Sequence, residues 1–347
     1  VIMNNTIQIC SMALLIMIGC GVPANGSKVS EVSPVPDGGN EVELVSIAGQ
    51  RIFSYNVENL FDTKADRSIN DQDFTPEGKL NWTNERYKTK LEHLAEAISW
   101  TGSELPILIS LEEVENRQVV EDLARTLPLK GYSIVHHDSP DERGIDVALL
   151  VRDGYTQVLS EEALSVTIHG DRTRDVLYVE LGLAKGEILH VLVSHWPSRH
   201  GGQENSEPKR MAAANAVRQK VDDILTKDAN AQIMIMGDLN DSPSDRSVKE
   251  GLGAVCDLSA TADLFDLMCI DTPKGHGSYN YQGKWSYLDQ MIVSRAFLPK
   301  VKGAKALWDD RLLFEHPRNG KSPDRTYAGD RYKGGYSDHL PVVLELN

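Results

Sequence analysis

The chain is short of cysteine, of positive charge and of long apolar runs, and each shortage closes off a class of protein. Of its 347 residues only four are cysteine. Cys10 and Cys20 lie near the N-terminus, and Cys256 and Cys269, in the body, are spaced like no metal-binding motif. In an oxidising compartment that second pair closes a short loop; otherwise it is two buried thiols. Lysine and arginine number 36 against 51 acidic residues, a net charge of −15. Such a surface does not hold polyanions generally, so a phosphate-bearing substrate requires local basic residues or a metal. This argues against a high-affinity, non-specific DNA binder and leaves room for a nuclease that meets DNA transiently. The apolar stretch ICSMALLIMIGC (9–20) is too short to cross a bilayer as a mature helix and has the character of a signal-peptide core. No strong internal repeat is present.

What is present starts with that N-terminus. Met17-Ile18-Gly19-Cys20 resembles a bacterial lipobox, in which the cysteine is lipidated; Met17 replaces the usual leucine, and residues 1–20 hold no Lys or Arg. A plain cleaved signal peptide is the alternative. Residues 21–48 are rich in Pro, Gly and Ser and read as a tether. The expectation is an exported protein, either secreted or held at the outer surface or in the periplasm by a lipid on Cys20.

From residue 49 onward, short apolar runs alternate with helical patterns. Strands are expected at 51–57, 106–112, 132–136, 145–151, 175–183, 187–194, 231–237, 287–293 and 340–346. Several are apolar on both faces, as in sheets covered by other layers. The runs at 175–183 and 187–194, split by Ala184-Lys185-Gly186, form a hairpin pattern. Helices are expected over 84–100, over 117–127 behind an Asn116 cap and with Leu127 inward, and after a Ser206 cap with Pro208 in the first turn. The fold class is α/β, with mixed sheets and helices outside.

Four apolar runs carry polar signatures: RIFSYNVEN (51–59), PILISLEEVEN (106–116), AQIMIMGDLND (231–241) and YSDHLPVVLEL (336–346). A buried strand needs no carboxylate at its tip for folding. On one rim these tips would gather Asn56, Glu58, Glu113, Asp238, Asn240, Asp338 and His339 into an oxygen-rich pocket suited to a hard divalent cation and an attacked phosphate. His195 in VSHWPSR and Asp289 in YLDQ lie at similar strand ends.

Taken in order, these signatures resemble the endonuclease/exonuclease/phosphatase superfamily of metal-dependent phosphoesterases, over roughly residues 50–347. The resemblance implies a four-layered α/β/β/α sandwich and a bound Mg²⁺ or Mn²⁺. Glu113 matches the principal metal ligand, with Glu58 and Asp338 near the metal. Asp238 would position or deprotonate the attacking water, and Asn56 and Asn240 would hold the phosphate. His195 would donate to a phosphate oxygen or protonate the leaving group. Asp289 would orient His339, which acts as base or phosphate ligand. Glu112 stands where the family often has Gln and is equally read as a solvated strand-end residue.

Other residues bear on the substrate. Arg143 either reaches a phosphate oxygen or forms a surface salt bridge. The stretch 316–335 carries Arg318, Lys321, Arg325, Arg331 and Lys333 against Asp324 and Asp330, a basic loop on an acidic chain. Arg199 and Arg210 are candidates to join it. His136 and His137 point to opposite faces of a strand, which disfavours a shared metal. Trp82 reads as an anchor for the insertion at 62–86. The expected activity is metal-dependent phosphodiester hydrolysis, first in nucleic acid, with a phospholipid or sugar phosphate as the alternative and a non-catalytic surface binding protein as the rival class. Nothing implies a protein partner.

Overall fold

The computed structural model describes residues 43–347 apart from 127–128, 169, 171, 270–274 and 319. The expected leader, the tether up to residue 42, the lipobox and Leu127 lie outside the described residues. In the first half of the chain the strands are β1 (Arg51–Leu60), β2 (Leu108–Val114), β3 (Tyr132–His136), β4 (Asp146–Arg152), β5 (Gln157–Leu164), β6 (Val176–Gly182) and β7 (Ile188–His195). Then come β8 (Gln232–Asp238), β9 (Ala254–Val255), β10 (Leu264–Asp266), β11 (Tyr279–Tyr281), β12 (Lys284–Ser286) and β13 (Asp289–Ser294). The last are β14 (Val301–Ala306), β15 (Leu313–His316), β16 (Gly320–Pro323), β17 (Tyr327–Ala328), β18 (Arg331–Tyr332) and β19 (Val342–Leu346). The helices are α1 (Asn84–Ser99), α2 (Arg117–Arg125) and α3 (Gln203–Lys227).

Two mixed sheets pack face to face. The first runs β14-β19-β1-β2-β4-β3 and the second β5-β6-β7-β8-β13-β10-β9. In each the central pair is parallel, β1 with β2 and β7 with β8, and antiparallel strands flank it. The main core lies between the sheets, where Ile52, Leu108, Leu149, Val191, Met236 and Met291 are fully buried. Helices α1 and α2 cover the outer face of the first sheet, and α3 covers Leu192, Ile233, Ile235 and Ile292 on the second. This is the four-layered sandwich expected. It explains why the central strands are apolar on both faces, since each side meets another layer.

All nine expected strands are present, each within about two or three residues of its expected span. The hairpin at 184–186 closes with the Leu183 N–H donating to the Glu187 carbonyl at 2.8 Å, and Lys185 takes a positive φ of 63°. Asn116 caps α2, accepting from Val119 N at 3.1 Å. Helix α3 differs from expectation. Gly202, at φ 106°, is its N-cap, and Ser206 lies inside, donating to the Gly202 carbonyl at 2.7 Å. The hydroxyl is drawn inward because the buried Arg210 donates to it at 2.7 Å. Cys256 and Cys269 form a disulfide, tying β9 to the end of β10.

Candidate active site

Strand register assembles the centre. On β8, Asp238 pairs with His195 of β7 on one side and with Asp289 of β13 on the other. On the facing sheet Asn56 of β1 pairs with Glu112 of β2. Both strands are irregular just beyond, where Glu58, Asn59 and Glu113 take positive φ of 51°, 59° and 67°. Asn240, at φ 52°, makes the equivalent turn after β8. Left-handed backbone at a non-glycine residue costs of order 1–3 kcal/mol, and such strain gathers where side chains are aimed for function. Gly237 lets the two sheets close behind the site: at φ 126°, a Cβ there would lie 2.1 Å from the Ser194 carbonyl and 3.1 Å from Glu112.

Asp238 is buried at the focus. Its Oδ2 accepts from the Asn56 amide at 3.0 Å and the Asn240 amide at 3.3 Å, and its Oδ1 accepts from Asn240 N at 2.8 Å. His195 Nε2 stands 3.7 Å from Oδ2, and His339 Nε2 stands 3.8 Å from it. Both gaps exceed a hydrogen bond, so an oxygen of water or substrate can sit among the three groups. His339 Nδ1 contacts Asp289 Oδ2 at 2.8 Å, an arrangement that fixes the ring and supports its charge. Burial opposes the imidazolium, but Asp289, Asp238 and Asp338 outweigh it and hold His339 well above its usual range. His195 goes the other way: burial, then Arg174, Arg143 and His339, push it well below, so it is neutral. Burial raises Asp238 to about 7 despite the opposing His339. One carboxyl poised near neutrality between a cationic and a neutral imidazole can handle a proton from water.

Glu113 lies at the cleft edge, with Oε2 accepting from Asn59 N at 3.0 Å and Oε1 facing His195 Nε2 across 3.8 Å. The carboxylates of Glu113, Asp238 and Asp338 line one cleft, and Asp289 Oδ1 is buried behind it without a hydrogen-bond partner. This oxygen-dominated donor set, free of thiolate, fits a hard divalent cation. Glu113, with the neighbouring carboxylates, would hold it; when bound, such an ion polarises a phosphoryl oxygen and stabilises a leaving oxygen.

The cleft, a cavity of about 710 Å³, is lined by Glu113, His195, Asp238, Asn240, Asp338 and His339 together with Arg143 and Arg199. Asn56 and Asp289 support Asp238 and His339 from behind. Glu58 is placed apart, since both its oxygens are taken by loop backbone, from Thr326 N at 2.5 Å and Tyr327 N at 3.1 Å. It is raised to about 7 by burial and by Asp338. Arg143 is half-exposed beside Asp141, and Arg325 reaches Asp338 at 3.5 Å.

Three readings need correction. Glu112 is not solvated; it is wholly buried between the sheets, with Oε1 accepting from Ser54 at 3.1 Å and Ser110 at 3.0 Å. Burial, with Asp289 and Asp238 nearby, raises it well above the carboxylate range, so it is a neutral acid under the site. Arg210 is no surface cation: it is fully buried and clamps Asp241 at 2.7 Å. The Arg199 guanidinium is likewise engaged, by the Asn240 carbonyl at 2.7 Å and Asp245 at 2.7 Å, which fixes the turn after β8. Trp82 is buried and donates to the Phe61 carbonyl at 2.9 Å, an anchor as expected. His136 and His137 face Asp146 and Glu161 respectively, so they share no ligand position.

Sequence reasoning missed three supports. Arg174, buried, donates to the His195 and Trp196 carbonyls at 3.2 and 2.7 Å and pairs with Asp141 at 2.8 Å. Lys90 donates from α1 to Thr326 at 2.6 Å and to the Tyr336 carbonyl at 2.5 Å, fixing the loop before His339. Its signal was legible, a lone charge beside Leu91 and Leu94 on an apolar helix face. Tyr279 packs on the His339 ring at 4.7 Å, and no local pattern announces it.

Comparison with known proteins completes the picture. Residues 51–347 match the Endonuclease/Exonuclease/phosphatase family. No curated protein sequence matches the chain. Among solved structures it is similar to an endonuclease/exonuclease/phosphatase family protein from Bacteroides thetaiotaomicron, at 16% identity and TM-score 0.53, covering 86% of this chain and 94% of that one. It is also similar to a mannosyl-6-phosphatase of Bacteroides thetaiotaomicron VPI-5482, at 16% identity and TM-score 0.53, covering 86% and 99%. The human nocturnin catalytic domain with bound sulfate is a third, at 18% identity and TM-score 0.52, covering 87% and 96%. At such identities the structural likeness carries the fold alone, while the family match spans nearly all the described residues. The chain therefore belongs to the endonuclease/exonuclease/phosphatase family, whose members are typically metal-dependent, and is a hydrolase of phosphate esters.

Proposed function

We propose that the protein is an exported phosphodiesterase that uses Mg²⁺ or Mn²⁺ and cleaves nucleic acid. The charge around the cleft carries this reading. On one side the cleft shares Arg143, Ser198 and His200 with a cavity of about 420 Å³ that Arg172, Arg174 and Lys209 also line. On the other side, Tyr279 and Tyr281 border both the cleft and a cavity lined by Arg325, Arg331 and Lys333. Basic ground on both flanks of an acidic centre, in a chain of net charge −15, suits a substrate with phosphates beyond the cleaved one. In this reading Glu113 is the principal metal ligand, with Asp338 beside it. Asp238 takes the proton of the attacking water, and the Asp289-oriented His339 with Asn56, Asn240 and His195 stabilises charge on the phosphoryl oxygens. Arg143 and Arg325 meet flanking phosphates, and Arg199 acts by holding the turn of Asn240. Glu58 serves through the loop it anchors.

The test is a hydrolysis panel: plasmid, single-stranded DNA, RNA, sphingomyelin, a sugar phosphate and bis(p-nitrophenyl) phosphate, each with Mg²⁺, with Mn²⁺ and with EDTA. Cleavage of DNA or RNA that EDTA abolishes is expected. Inactivity on every member would remove the enzyme reading. Turnover of the lipid or sugar phosphate alone would move the substrate to the small-molecule class that the acidic surface also suits, and for which the mannosyl-6-phosphatase neighbour is named. The Cys256–Cys269 disulfide supports export, because such bonds persist in oxidising compartments. With it goes a division into a leader at 1–20, a tether at 21–48 and the catalytic domain at 49–347. Mass spectrometry of membrane-associated protein should find a lipid on Cys20.

A further inference from the structure

Beside the catalytic cleft, hairpin β11–β12 and hairpins β15–β16 and β17–β18 enclose a cavity of about 570 Å³, within the size range of small-molecule sites. We propose that this cavity binds the nucleotide flanking the cleaved bond, with its base against Tyr281 and Phe314 and its far phosphate held by Arg331 and Lys333. The proposal rests on the nucleic-acid reading above and specifies where that substrate makes its second contact.

Four observations converge. First, among the described residues only two large aromatic side chains are solvent-exposed, Tyr281 at 64% and Phe314 at 39%, and both line this cavity. Folding gains little from aromatic rings left in water, whereas a base stacking on them recovers that surface. Second, the cations here are available. Lys321 is taken by Asp310 at 2.6 Å, and Asp330 is held away by Lys79 at 2.8 Å. With Arg325 turned to Asp338 at 3.5 Å, that leaves Arg331 and Lys333 against the single acid Asp324 in the cavity lining. Among the described residues neither Arg331 nor Lys333 has a carboxylate within ion-pair distance, and Lys333 Nζ lies 5.1 Å from the centre of the Phe314 ring. Cation and ring therefore share one rim.

Third, the cavity adjoins the chemistry. Tyr279 and Tyr281, two apart on one strand and so on one face, border both the cavity and the cleft, and Tyr279 packs on His339. A group leaving or entering beside His339 passes directly onto this wall. Fourth, the wall is built to be stiff. Gln282 and Gly283, at φ 52° and 84°, make the two-residue turn that matches strand twist. Asn280, on the opposite face, accepts from Gly283 N at 2.9 Å and donates to the Lys321 carbonyl at 3.3 Å, locking this hairpin to β16. Tyr281 thus stands on a preorganised tip, so little ordering is required on binding.

Calorimetric titration of thymidine 3′,5′-bisphosphate into the full protein in EDTA tests the subsite without catalysis. Binding is expected, and Tyr281→Ala and the double change Arg331→Gln/Lys333→Gln should each weaken it by about tenfold or more, as loss of one stacking contact or of a phosphate ligand pair implies. No binding by the wild-type protein, or dissociation constants within twofold in both variants, would overturn the proposal. DNA cleavage by the wild-type protein is scored separately. Cleavage with no effect of these changes on bisphosphate binding removes the subsite alone; the expected binding pattern without cleavage keeps the nucleotide site and removes the nuclease reading.

Discussion

At the scale of single residues, the site works by placing titratable groups in environments that push them apart. Asp238, Asp289 and His195 are neighbours across three strands, yet burial raises Asp238 to about 7, His195 is driven neutral, and His339 is held cationic by Asp289 and Asp238 over the cost of its own burial. Asp238→Asn keeps the side-chain shape and removes the buried charge. Turnover should fall by about 10²–10⁴-fold, while the melting temperature stays level or rises, because a buried carboxylate that resists ionisation is a stability cost. Activity retained within a few-fold would show that Asp238 does not handle the water. Glu112 shows the limit of local reading. Its strand-end place suggested solvent, and only the second sheet closing over Ser54 and Ser110 makes it a buried neutral acid.

At the scale of elements, the strands that build the core announced themselves through unbroken apolar runs. Of the main-sheet strands overlooked, β5 and β14 are largely exposed edge strands at 157–164 and 301–306, where QVLSEEAL and VKGAKA bury little, and β9 and β10, of two and three residues, are too short to carry a period. The start of α3 was misplaced because Ser206 is a good cap in isolation, whereas the buried Arg210 recruits its hydroxyl one turn inside the helix. The contact between β7 and β8 depends on a missing side chain. Gly237→Ala would drive a methyl against the Ser194 carbonyl, at a backbone angle that disfavours it. Stability should drop by more than ~1 kcal/mol in urea titration. Displacement of Asp238 by even a fraction of an ångström towards 1 Å should cost up to about 10²-fold in turnover, so a fully active Ala variant would contradict this account of the strand pair.

At the scale of the whole molecule, buried acids set the response to pH. Burial is the leading cause that raises Glu58, Asp238 and Asp266 to about 7 and Glu115 to about 8. The folded protein therefore keeps protons that the unfolded chain, with ordinary carboxyls, has already released. The resulting stability is complete below about pH 4 and is lost as pH climbs towards 8. His339, raised, acts in the same direction; His195, lowered, opposes it below its usual range. In EDTA the melting temperature should thus fall between pH 5 and pH 8, and a rise would contradict the assignment. Excess Mg²⁺ or Mn²⁺ should restore it, more at pH 8 than at pH 5, since a cation binds carboxylates in competition with protons.

The sequence by itself determined the fold class, nine of the strands that build the core and the family signatures, because apolar periodicity and strand-end acids are local and survive in one dimension. It also held the basic stretch at 316–335, though not which of its charges are free. Tertiary structure alone decided that Lys321 and Asp330 are neutralised elsewhere, that Arg199 and Arg210 clamp a turn, that Glu58 anchors a loop and that Tyr281 and Phe314 face one cavity. The reason is physical: a charge or a ring is defined by its partners, and here those partners are brought together from distant parts of the chain only when the two sheets close.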